Sequence, residues 1–308
     1  MFRNRLSRMF KHVARQARRA HVSCYRVYDH DLPEFPFCIE FYGPNLYVAE
    51  YLRRHGLDPE QHELWMQQSL KVISEVLLVP VENIYLKLRQ RKAGRAGQYQ
   101  KLDEVVQEFI VEESGLKFIV NLGDYLDTGL FNDHRLTRQM VKQQSAMKKV
   151  LNLFAYTGSF SVYAASGGAT EVVTVDLSKT YLDWAERNMK LNGFNDEAKY
   201  QYHHADVKQY LKKISAGHYD LIVMDPPTFS NSKRMDDYLD IQKDHVELIN
   251  ACLTALRPGG ILYFSTNFRK FILDKEKIAT PHIKDITRAT TPFDFEGKLF
   301  RYCYLLTK

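Results

Sequence analysis

Asp225 is the acidic residue whose neighbours most restrict what it can do. It follows the apolar run LIVM at 221–224 and directly precedes Pro226 and Pro227. A proline inside a central strand removes a ladder hydrogen bond, so the two prolines mark the end of a buried strand. The Asp225 carboxylate is therefore expected at the carboxyl end of a strand, where open α/β sheets bind ligands. There it can accept hydrogen bonds or balance a developing positive charge.

Three earlier residues also lie at or just after the ends of predicted strands. Gly158 lies in FAYTGSF, Asp176 follows 18 residues later at the end of VVTVD, and Asp206 ends HHAD. A glycine lets the backbone approach a ligand closely. Asp176, at the end of the second strand, can accept hydrogen bonds from a ribose diol, and Asp206 is placed to accept from an exocyclic amine. Each acid could instead cap a helix, Asp206 above all. The second and third glycines of G-x-G-x-x-G are missing, so NAD is not expected.

The region that must position these residues alternates between strand and helix patterns from residue 148 onward. Two weaker strand patterns follow near 282–288 and 300–307. Such alternation requires right-handed parallel crossovers. Residues 148–308 are therefore predicted to form an α/β domain with a doubly wound, mostly parallel sheet. The five main strand patterns are KVLNLFA, EVVTVD, KYQYHHAD, YDLIVMD and ILYFSTN.

A different organisation precedes this domain. Residues 1–22 are predicted to contain a basic amphipathic helix, with Leu6, Met9, Phe10 and Val13 on its apolar side. Residues 23–121 combine several short strand patterns with one helical pattern, which predicts a small α+β domain. Residues 122–147 connect the two. The strand patterns lie at 25–28, 37–42, 46–51 and 83–90, the helix at 59–78 and a hairpin at 105–120.

Positive charge is concentrated near the N-terminus. Residues 1–28 hold eight Arg or Lys and residues 85–101 hold six, and neither stretch has an acid. Segregated cations suit a polyanion because each neutralised phosphate releases counterions. The alternative is an ordinary solvated basic surface. The candidate RNA-binding residues are Arg3, Arg5, Arg8, Arg15, Arg89, Arg91, Lys92 and Arg95, with Lys233 and Arg234 beyond the prolines.

Composition excludes several classes of protein. The chain is 45% hydrophobic and 26% charged, as in ordinary globular proteins, and no apolar run approaches the roughly 20 residues of a membrane span. The N-terminus has no apolar signal-peptide core. The four cysteines are scattered and have no metal-ligand spacing. A cytoplasmic protein with reduced thiols and no metal site is therefore expected.

The ordered motifs resemble a known family. VLNLFAYTGSF, VTVD, HAD, DPPTF and LRPGG resemble the motifs of class I S-adenosylmethionine-dependent methyltransferases, whose fold is Rossmann-like. NLGDYLDTGLFNDHR, VDLSKTYLDWAERNMKLNG and DPPTFSNSKRM resemble the guanine-N7-methylating half of bacterial bifunctional 23S rRNA methyltransferases. CYRVYDHDLPEF and GQYQKL extend the resemblance over nearly the whole chain. One departure is Asn132, which stands where an apolar residue is usual.

The resemblance implies S-adenosylmethionine as cofactor and 23S rRNA, or a precursor large-subunit particle, as partner. The loop after the first strand would contact the methionine end of the cofactor. Asp176, at the end of the second strand, would bind its ribose, and Asp206, at the end of the third, would bind its adenine. The connecting segment 122–147, and within it the stretch 133–135, would fold over the pocket. The implied cofactor-binding residues are Asp133, His134, Arg135, Phe154, Tyr156, Thr157, Gly158, Asp176, Leu177, Asp206, Val207 and Asp225.

Methyl transfer to guanine N7 would need alignment and no general base, because N7 carries a lone pair and no proton. Asp225, or the carbonyls of Pro226 and Pro227, would accept from the guanine N1 and N2 donors. Phe229 would stack on a base taken out of the RNA helix. Alternatively, Phe229 simply packs under its loop, and Asp225 braces the strand end or binds the methionine amino group.

Other functions remain open at this point. Cytosine-C5 chemistry needs a cysteine nucleophile, but the two usual places for it carry Thr228, and Thr266 with Asn267. Guanine-N2 methylation is harder to exclude because Asp-Pro-Pro with an aromatic also suits exocyclic amines. A non-catalytic RNA-binding or ribosome-assembly factor would not need all three acids. The basic N-terminal region argues against a small-molecule or protein substrate.

Overall fold

The computed structural model describes residues 1–51, 56–89, 107–125, 127–230, 238–297 and 301–308. The chain forms two compact units, Met1–Asn132 and Asp133–Lys308. The connecting segment 122–147 is therefore divided between the units after Asn132. Its predicted place over the cofactor pocket stays a prediction.

The N-terminal unit is built on a four-stranded sheet in the order β1-β2-β3-β4. The first three strands pair antiparallel, and β4 pairs parallel to β3. A separate antiparallel hairpin, β5 with β6, follows. The bounds are α1 Phe2–Arg19, β1 Cys24–Asp29, β2 Phe37–Tyr42, β3 Asn45–Tyr51, α2 Pro59–Leu77, β4 Ile84–Arg89, β5 Glu108–Glu113 and β6 Leu116–Asn121.

Helix α1 forms because its apolar residues share one face. Phe2, Leu6, Val13 and Ala17 are buried on that face. Leu6 and Val13 of the predicted apolar side are buried, and Met9 and Phe10 are half-buried, with the Phe10 ring stacked 5.9 Å from that of Phe41. Helix α2 begins at a capping box, in which Asp58 accepts from the backbone N–H of Gln61 at 2.8 Å.

The C-terminal unit contains a seven-stranded sheet in the order β14-β15-β13-β10-β7-β8-β9. Strands β9, β8, β7, β10 and β13 run parallel, and β15 and β14 are antiparallel additions. The predicted α/β fold with a mostly parallel sheet is confirmed. The bounds are α3 Arg135–Gln144, β7 Lys149–Leu153, α4 Ser159–Ser166, β8 Glu171–Asp176, α5 Lys179–Leu191, β9 Tyr200–His204, α6 Val207–Leu211, β10 Tyr219–Met224, β11 Phe229–Ser230, β12 Leu239–Asp240, α7 Ile241–Ala255, β13 Leu256–Thr266, β14 Ile283–Asp285 and β15 Tyr302–Thr307.

Strand β13 begins earlier than the sequence predicts. The fifth strand pattern, ILYFSTN, begins at residue 261, after the Pro-Gly-Gly stretch at 258–260, but β13 already starts at Leu256. Its pairing with β10 shifts register between Tyr219, opposite Leu256, and Leu221, opposite Ile261. Gly259 adopts a φ of +75°. A glycine tolerates this conformation, which a bulge can require. The glycines therefore form a bulge inside the strand.

The core of this unit fills the space between the sheet and its helices. Leu151, Val173, Ile222 and Leu262, from the four central parallel strands, are all buried. Strands buried on both faces read as continuous apolar runs, which is why the sequence patterns were clear. Within the described ranges, no helix is both long enough and apolar enough to cross a membrane.

Candidate active site

The loop after β7 has an unusual backbone. Phe154, Tyr156 and Gly158 adopt φ values of 53°, 51° and 72°, and the first two are not glycine. Such conformations cost free energy and cluster at ligand-binding loops. Gly158 has a second role, because a Cβ added there would lie 2.6 Å from Cβ of Ala185 in α5. The glycine thus lets α5 pack against the loop. Thr157 is buried, and its carbonyl accepts from the Asn188 side chain at 2.9 Å.

Asp176 ties two strand ends together. Its carboxylate accepts from the backbone N–H of Tyr156 at 2.9 Å and of Ser178 at 2.8 Å. Burial raises the pKa of Asp176 to about 6, although these hydrogen bonds and His204 oppose the rise. A carboxylate has about four lone-pair sites, so acceptor capacity remains for a ribose diol. The neighbouring Leu177 carbonyl contacts Nε2 of His204 at 2.9 Å.

Asp206 acts as a helix cap. Its side chain accepts from the backbone N–H of Gln209 at 3.1 Å, at the start of α6. Val207, the first residue of that helix, is buried. The capping alternative for Asp206 therefore has direct geometric support. The contact uses one of the two carboxylate oxygens, so the predicted adenine contact is compatible with it.

Asp225 lies just beyond β10 and is held by two side chains. Its Oδ2 is 3.1 Å from Nε2 of His134, and its Oδ1 accepts from the Ser265 hydroxyl at 2.6 Å. Burial alone would raise its pKa, but His134, Ser265 and the charge of Arg301 hold the pKa of Asp225 below its usual value. The side chain is 28% exposed. The carboxylate is thus fixed, ionised at neutral pH and still accessible.

The predicted cofactor segment 133–135 is anchored within the protein. Arg301 donates from Nε to Oδ2 of Asp133 at 3.1 Å and from Nη2 to the Asp133 carbonyl at 2.7 Å. Arg135 forms a two-point pair with Asp294 at 3.1 and 3.3 Å. Both side chains of that pair are almost fully buried. Two charged residues of the segment are therefore used in ion pairs, and His134 lies against Asp225.

Pro226 is buried, Pro227 is exposed, and the chain then turns into the short ladder of β11 with β12. This ladder brings the Phe229 ring 5.7 Å from the ring of Tyr238 in a stacked arrangement. Tyr238 is 47% exposed, and Nζ of Lys243 lies 5.7 Å from its ring centre. The pair presents aromatic surface beside a cation, which suits base stacking.

The predicted RNA-binding cations fall into four groups. Arg3 and Arg5 form ion pairs with Glu75 and Asp31, whereas Arg8 and Arg15 are exposed on α1. Arg89 ends β4. Five further candidates, Arg91, Lys92, Arg95, Lys233 and Arg234, lie outside the described residues.

Two cations counted in the basic stretches do not belong to a basic surface. Arg26 is held by Glu40 at 2.9 Å and by Asp29 at 3.4 Å, and Lys87 is buried. Charge counting along the sequence therefore overstated the basic surface of the N-terminal unit.

Sequence reasoning missed four residues around the site: Ser265, Asp294, Arg301 and Tyr238. No local motif marks the first three, because each reaches the site from a distant part of the chain. Tyr238 carried a signal that was not used. It lies shortly after the Asp-Pro-Pro stretch, which is where a second aromatic can join Phe229.

Comparison with known proteins identifies the family. Residues 82–297 match the family model of S-adenosylmethionine-dependent methyltransferases. The chain belongs to this family. The family expected from the motifs is confirmed, and S-adenosylmethionine is its cofactor. The strained Phe154–Gly158 turn, Asp176 and Asp206 follow the neighbouring strands β7, β8 and β9. The two carboxylates supply acceptors at successive strand ends, which fits a nucleoside-containing group such as this cofactor.

Two similar proteins are ribosomal RNA methyltransferases. The chain is 46% identical over 305 residues to ribosomal RNA large subunit methyltransferase K of Neisseria meningitidis serogroup B, covering 98% of the chain and 86% of that protein. It is 45% identical over 295 residues to methyltransferase K/L of Pseudomonas aeruginosa, covering 96% of the chain and 40% of that protein. The chain thus spans about two fifths of the length of this K/L relative.

Solved structures support the fold. A methyltransferase complexed with SAH superposes with a TM-score of 0.76 at 24% identity, covering 99% of this chain and 82% of that one. A SAM-dependent methyltransferase from Agrobacterium tumefaciens gives a TM-score of 0.62 at 18% identity, covering 92% and 89%. The matched residues include both units of the chain.

Proposed function

We propose that this chain methylates guanine N7 in 23S rRNA, either as naked RNA or within a precursor of the large ribosomal subunit. The substrate class follows the names of the relatives, which are ribosomal RNA large subunit methyltransferases. The observation that carries the proposal is the Asp225 carboxylate at the strand end, which is ionised, held through both of its oxygens by His134 and Ser265, and partly exposed.

The proposed mechanism is a direct in-line displacement. The cofactor supplies a methyl group on a sulfonium. The protein contributes alignment, which can lower the barrier by roughly 7–11 kcal/mol. Guanine N7 has its own lone pair, so no side chain has to remove a proton. Asp225 accepts from the N1 and N2 donors of the guanine and favours the positive charge that develops on the base.

A covalent route through a cysteine is not supported. Cys252 is completely buried in α7, and its Sγ packs 3.8 Å from the Met224 sulfur. Burial raises the pKa of Cys252 well above its usual value, which suppresses the nucleophilic thiolate. Beside Asp225, the chain instead carries Thr228, whose hydroxyl contacts the Asn267 side chain at 2.5 Å. This arrangement argues against cytosine-C5 methylation.

Guanine-N2 methylation is the second candidate, because a carboxylate beside two prolines also suits an exocyclic amine. Nucleoside mass spectrometry of 23S rRNA from cells with and without the active gene separates the two. Loss of 7-methylguanosine in the deletion supports the proposal. Loss of N2-methylguanosine or 5-methylcytidine, with 7-methylguanosine unchanged, contradicts it.

A further inference from the structure

His134 lies against the proposed base-binding carboxylate. The residue belongs to the turn before α3, and its side chain is only 7% exposed. Its Nε2 is 3.1 Å from Oδ2 of Asp225 and 3.7 Å from Oδ2 of Asp133. The edge of the ring packs on Phe160 of α4, with ring centres 5.5 Å apart. The imidazole is thus held between α4 and the end of β10.

The hydrogen-bonding capacity of His134 is directed at Asp225. Nε2 faces two carboxylate oxygens and must carry a proton to bond with either of them. The other ring nitrogen, Nδ1, is buried and has no hydrogen-bond partner among the described residues. A buried histidine that bonds through one nitrogen alone is oriented by that bond. In this case the oriented partner is a carboxylate at the reaction site.

Asp133 and Arg301 hold the imidazole in this position. Arg301 contacts both the carboxylate and the carbonyl of Asp133, the residue directly before His134. Arg301 also donates to the Thr290 carbonyl at 2.7 Å and to the Thr137 hydroxyl at 3.2 Å. The backbone that carries His134 is therefore fixed by several charge-assisted bonds, which are stronger than neutral ones.

Ser265 completes the arrangement from β13, the strand that pairs in parallel with β10. Its hydroxyl donates to Oδ1 of Asp225 while His134 donates to Oδ2, so each carboxylate oxygen has one protein donor. Each oxygen keeps a further lone-pair site. Two donors on different oxygens prevent rotation about the terminal bond of the aspartate. The remaining lone pairs then point in fixed directions.

We propose that His134 is a positioning residue for methyl transfer, which orients the Asp225 carboxylate for the substrate base rather than binding the cofactor. This inference rests on the proposed function, in which Asp225 accepts from guanine. His134 touches neither the base nor the methyl group in this role. Its loss should reduce the rate of transfer through misplacement of Asp225 and leave cofactor affinity nearly unchanged.

Three variants test the proposal. His134→Leu removes the donor, whereas His134→Gln keeps a side-chain N–H that can reach Asp225. His245→Leu is the matched control, since His245 is a buried histidine on α7 that bonds to backbone groups away from this site. Single-turnover methylation of 23S rRNA fragments at saturating S-adenosylmethionine gives the transfer rate. Calorimetry gives cofactor affinity, and circular dichroism gives the folded fraction.

His134→Leu should lower the transfer rate by up to about 100-fold, the effect of a small misplacement of a reacting group. Cofactor affinity should change less than the rate. His134→Gln should stay within about tenfold of wild type, because it keeps a hydrogen bond of ordinary strength. His245→Leu should lower stability without lowering the rate of the folded protein.

A double-mutant cycle makes the assignment specific. On an Asp225→Asn background, His134→Leu should cause little further loss, because the group it positions is already gone. Independent, multiplicative losses would overturn the proposal. So would a parallel loss of cofactor affinity in His134→Leu, which would assign His134 to the cofactor. If wild-type protein forms 7-methylguanosine and His134→Leu keeps its rate, this inference fails alone. If wild-type protein forms another methylated base, the proposed function fails.

Discussion

Arg301 and Asp133 are 168 residues apart in sequence, yet they form a charged hydrogen bond of 3.1 Å in the C-terminal unit. Arg301 is almost fully buried, and Asp133 is 20% exposed. The same guanidinium binds the backbone carbonyls of Asp133 and Thr290. A single side chain therefore links the turn before α3 to the segment that leads into β15.

Replacing Arg301 with Met should destabilise the protein by about 3–5 kcal/mol, because the change leaves a partly buried carboxylate and two carbonyls without their donor. Urea unfolding followed by circular dichroism measures this free energy. Arg301→Lys keeps the charge but loses the planar fork, so it should fall between Met and wild type. A loss below about 1 kcal/mol for Arg301→Met would show that the contact is as weak as a surface ion pair.

Cofactor affinity should depend on pH through Asp176. Its pKa is raised to about 6 in the folded protein, so the carboxylate takes up a proton as the pH falls from 7 to 5. Protonation removes an acceptor for the ribose, and affinity should therefore fall with pH, approaching tenfold per pH unit below about 6. Asp176→Asn should bind weakly at every pH and show a flatter profile. Calorimetry at several pH values measures both, and an unchanged wild-type profile would contradict the assignment.

The same raised pKa has the opposite sign for the stability of the protein without its cofactor. The folded state binds the Asp176 proton more tightly than the unfolded chain does, where the group has an ordinary pKa. The contribution of Asp176 to stability should therefore be most favourable at low pH. It should decline as the pH rises from the ordinary aspartate range through about 6. The difference in unfolding free energy between wild type and Asp176→Asn, measured across this window, should follow that trend.

Asn132→Leu should stabilise the protein by about 1–3 kcal/mol, the cost of a buried polar group without a hydrogen bond. Asn132 is buried, and neither its Nδ2 nor its Oδ1 has a partner among the described residues. Asn188→Leu is the matched control and should be destabilising, because the Asn188 amide donates to the Thr157 carbonyl. Thermal unfolding of both variants tests the contrast. Destabilisation by Asn132→Leu would show that the amide has a partner, such as an ordered water.

Tyr238 and Phe229 should contribute jointly to RNA binding. Tyr238→Ala should weaken binding of an RNA fragment by roughly 1–3 kcal/mol if the exposed ring stacks on a base. Tyr238→Phe keeps the ring and should bind like wild type. Fluorescence anisotropy with a labelled 23S rRNA fragment measures both. If Tyr238→Ala binds normally, the stacked pair is packing for the β11–β12 ladder.

Arg8 and Arg15 should supply part of the electrostatic component of binding. The double replacement by Gln should reduce the slope of log K against log salt by up to about 1.8 if both cations meet duplex phosphates. Arg26→Gln is the control, since Arg26 is engaged with Glu40 and Asp29, and the slope should not change. An unchanged slope in the double variant would make these arginines ordinary solvated surface.

The sequence predicted most of the fold because its signals are local. The central parallel strands read as apolar runs. Asp176 ends β8, Asp225 directly follows β10, and Asp206 lies two residues after the edge strand β9. The stretch VKQYLKKIS at 207–215 has a helical pattern, but helix α6 ends at Leu211. The periodic pattern predicts the start of this helix correctly but places its end four residues too late.

The contacts around Asp225 could not be predicted in the same way. Ser265 and His134 reach it from positions 40 residues later and 91 residues earlier in the chain. Arg135 and Asp294 pair across 159 residues. Such contacts depend on which strands become neighbours and on side-chain direction, and neither has a local sequence pattern. The sequence indicates that the charged residues of the 133–135 stretch matter. It does not indicate which residue each of them pairs with.

The anchoring of the 133–135 turn by Asp294 and Arg301 has a consequence for the order of synthesis. The turn is synthesised 159 and 168 residues before its two ionic partners, since Arg135 pairs with Asp294 and Asp133 pairs with Arg301. A nascent chain that has emerged only as far as β13 holds Asp133 and Arg135 without these counterions. Domains generally fold as units during translation. The geometry around Asp225 is therefore completed only when the C-terminal strands have left the ribosome, so a partly made chain should not act on RNA.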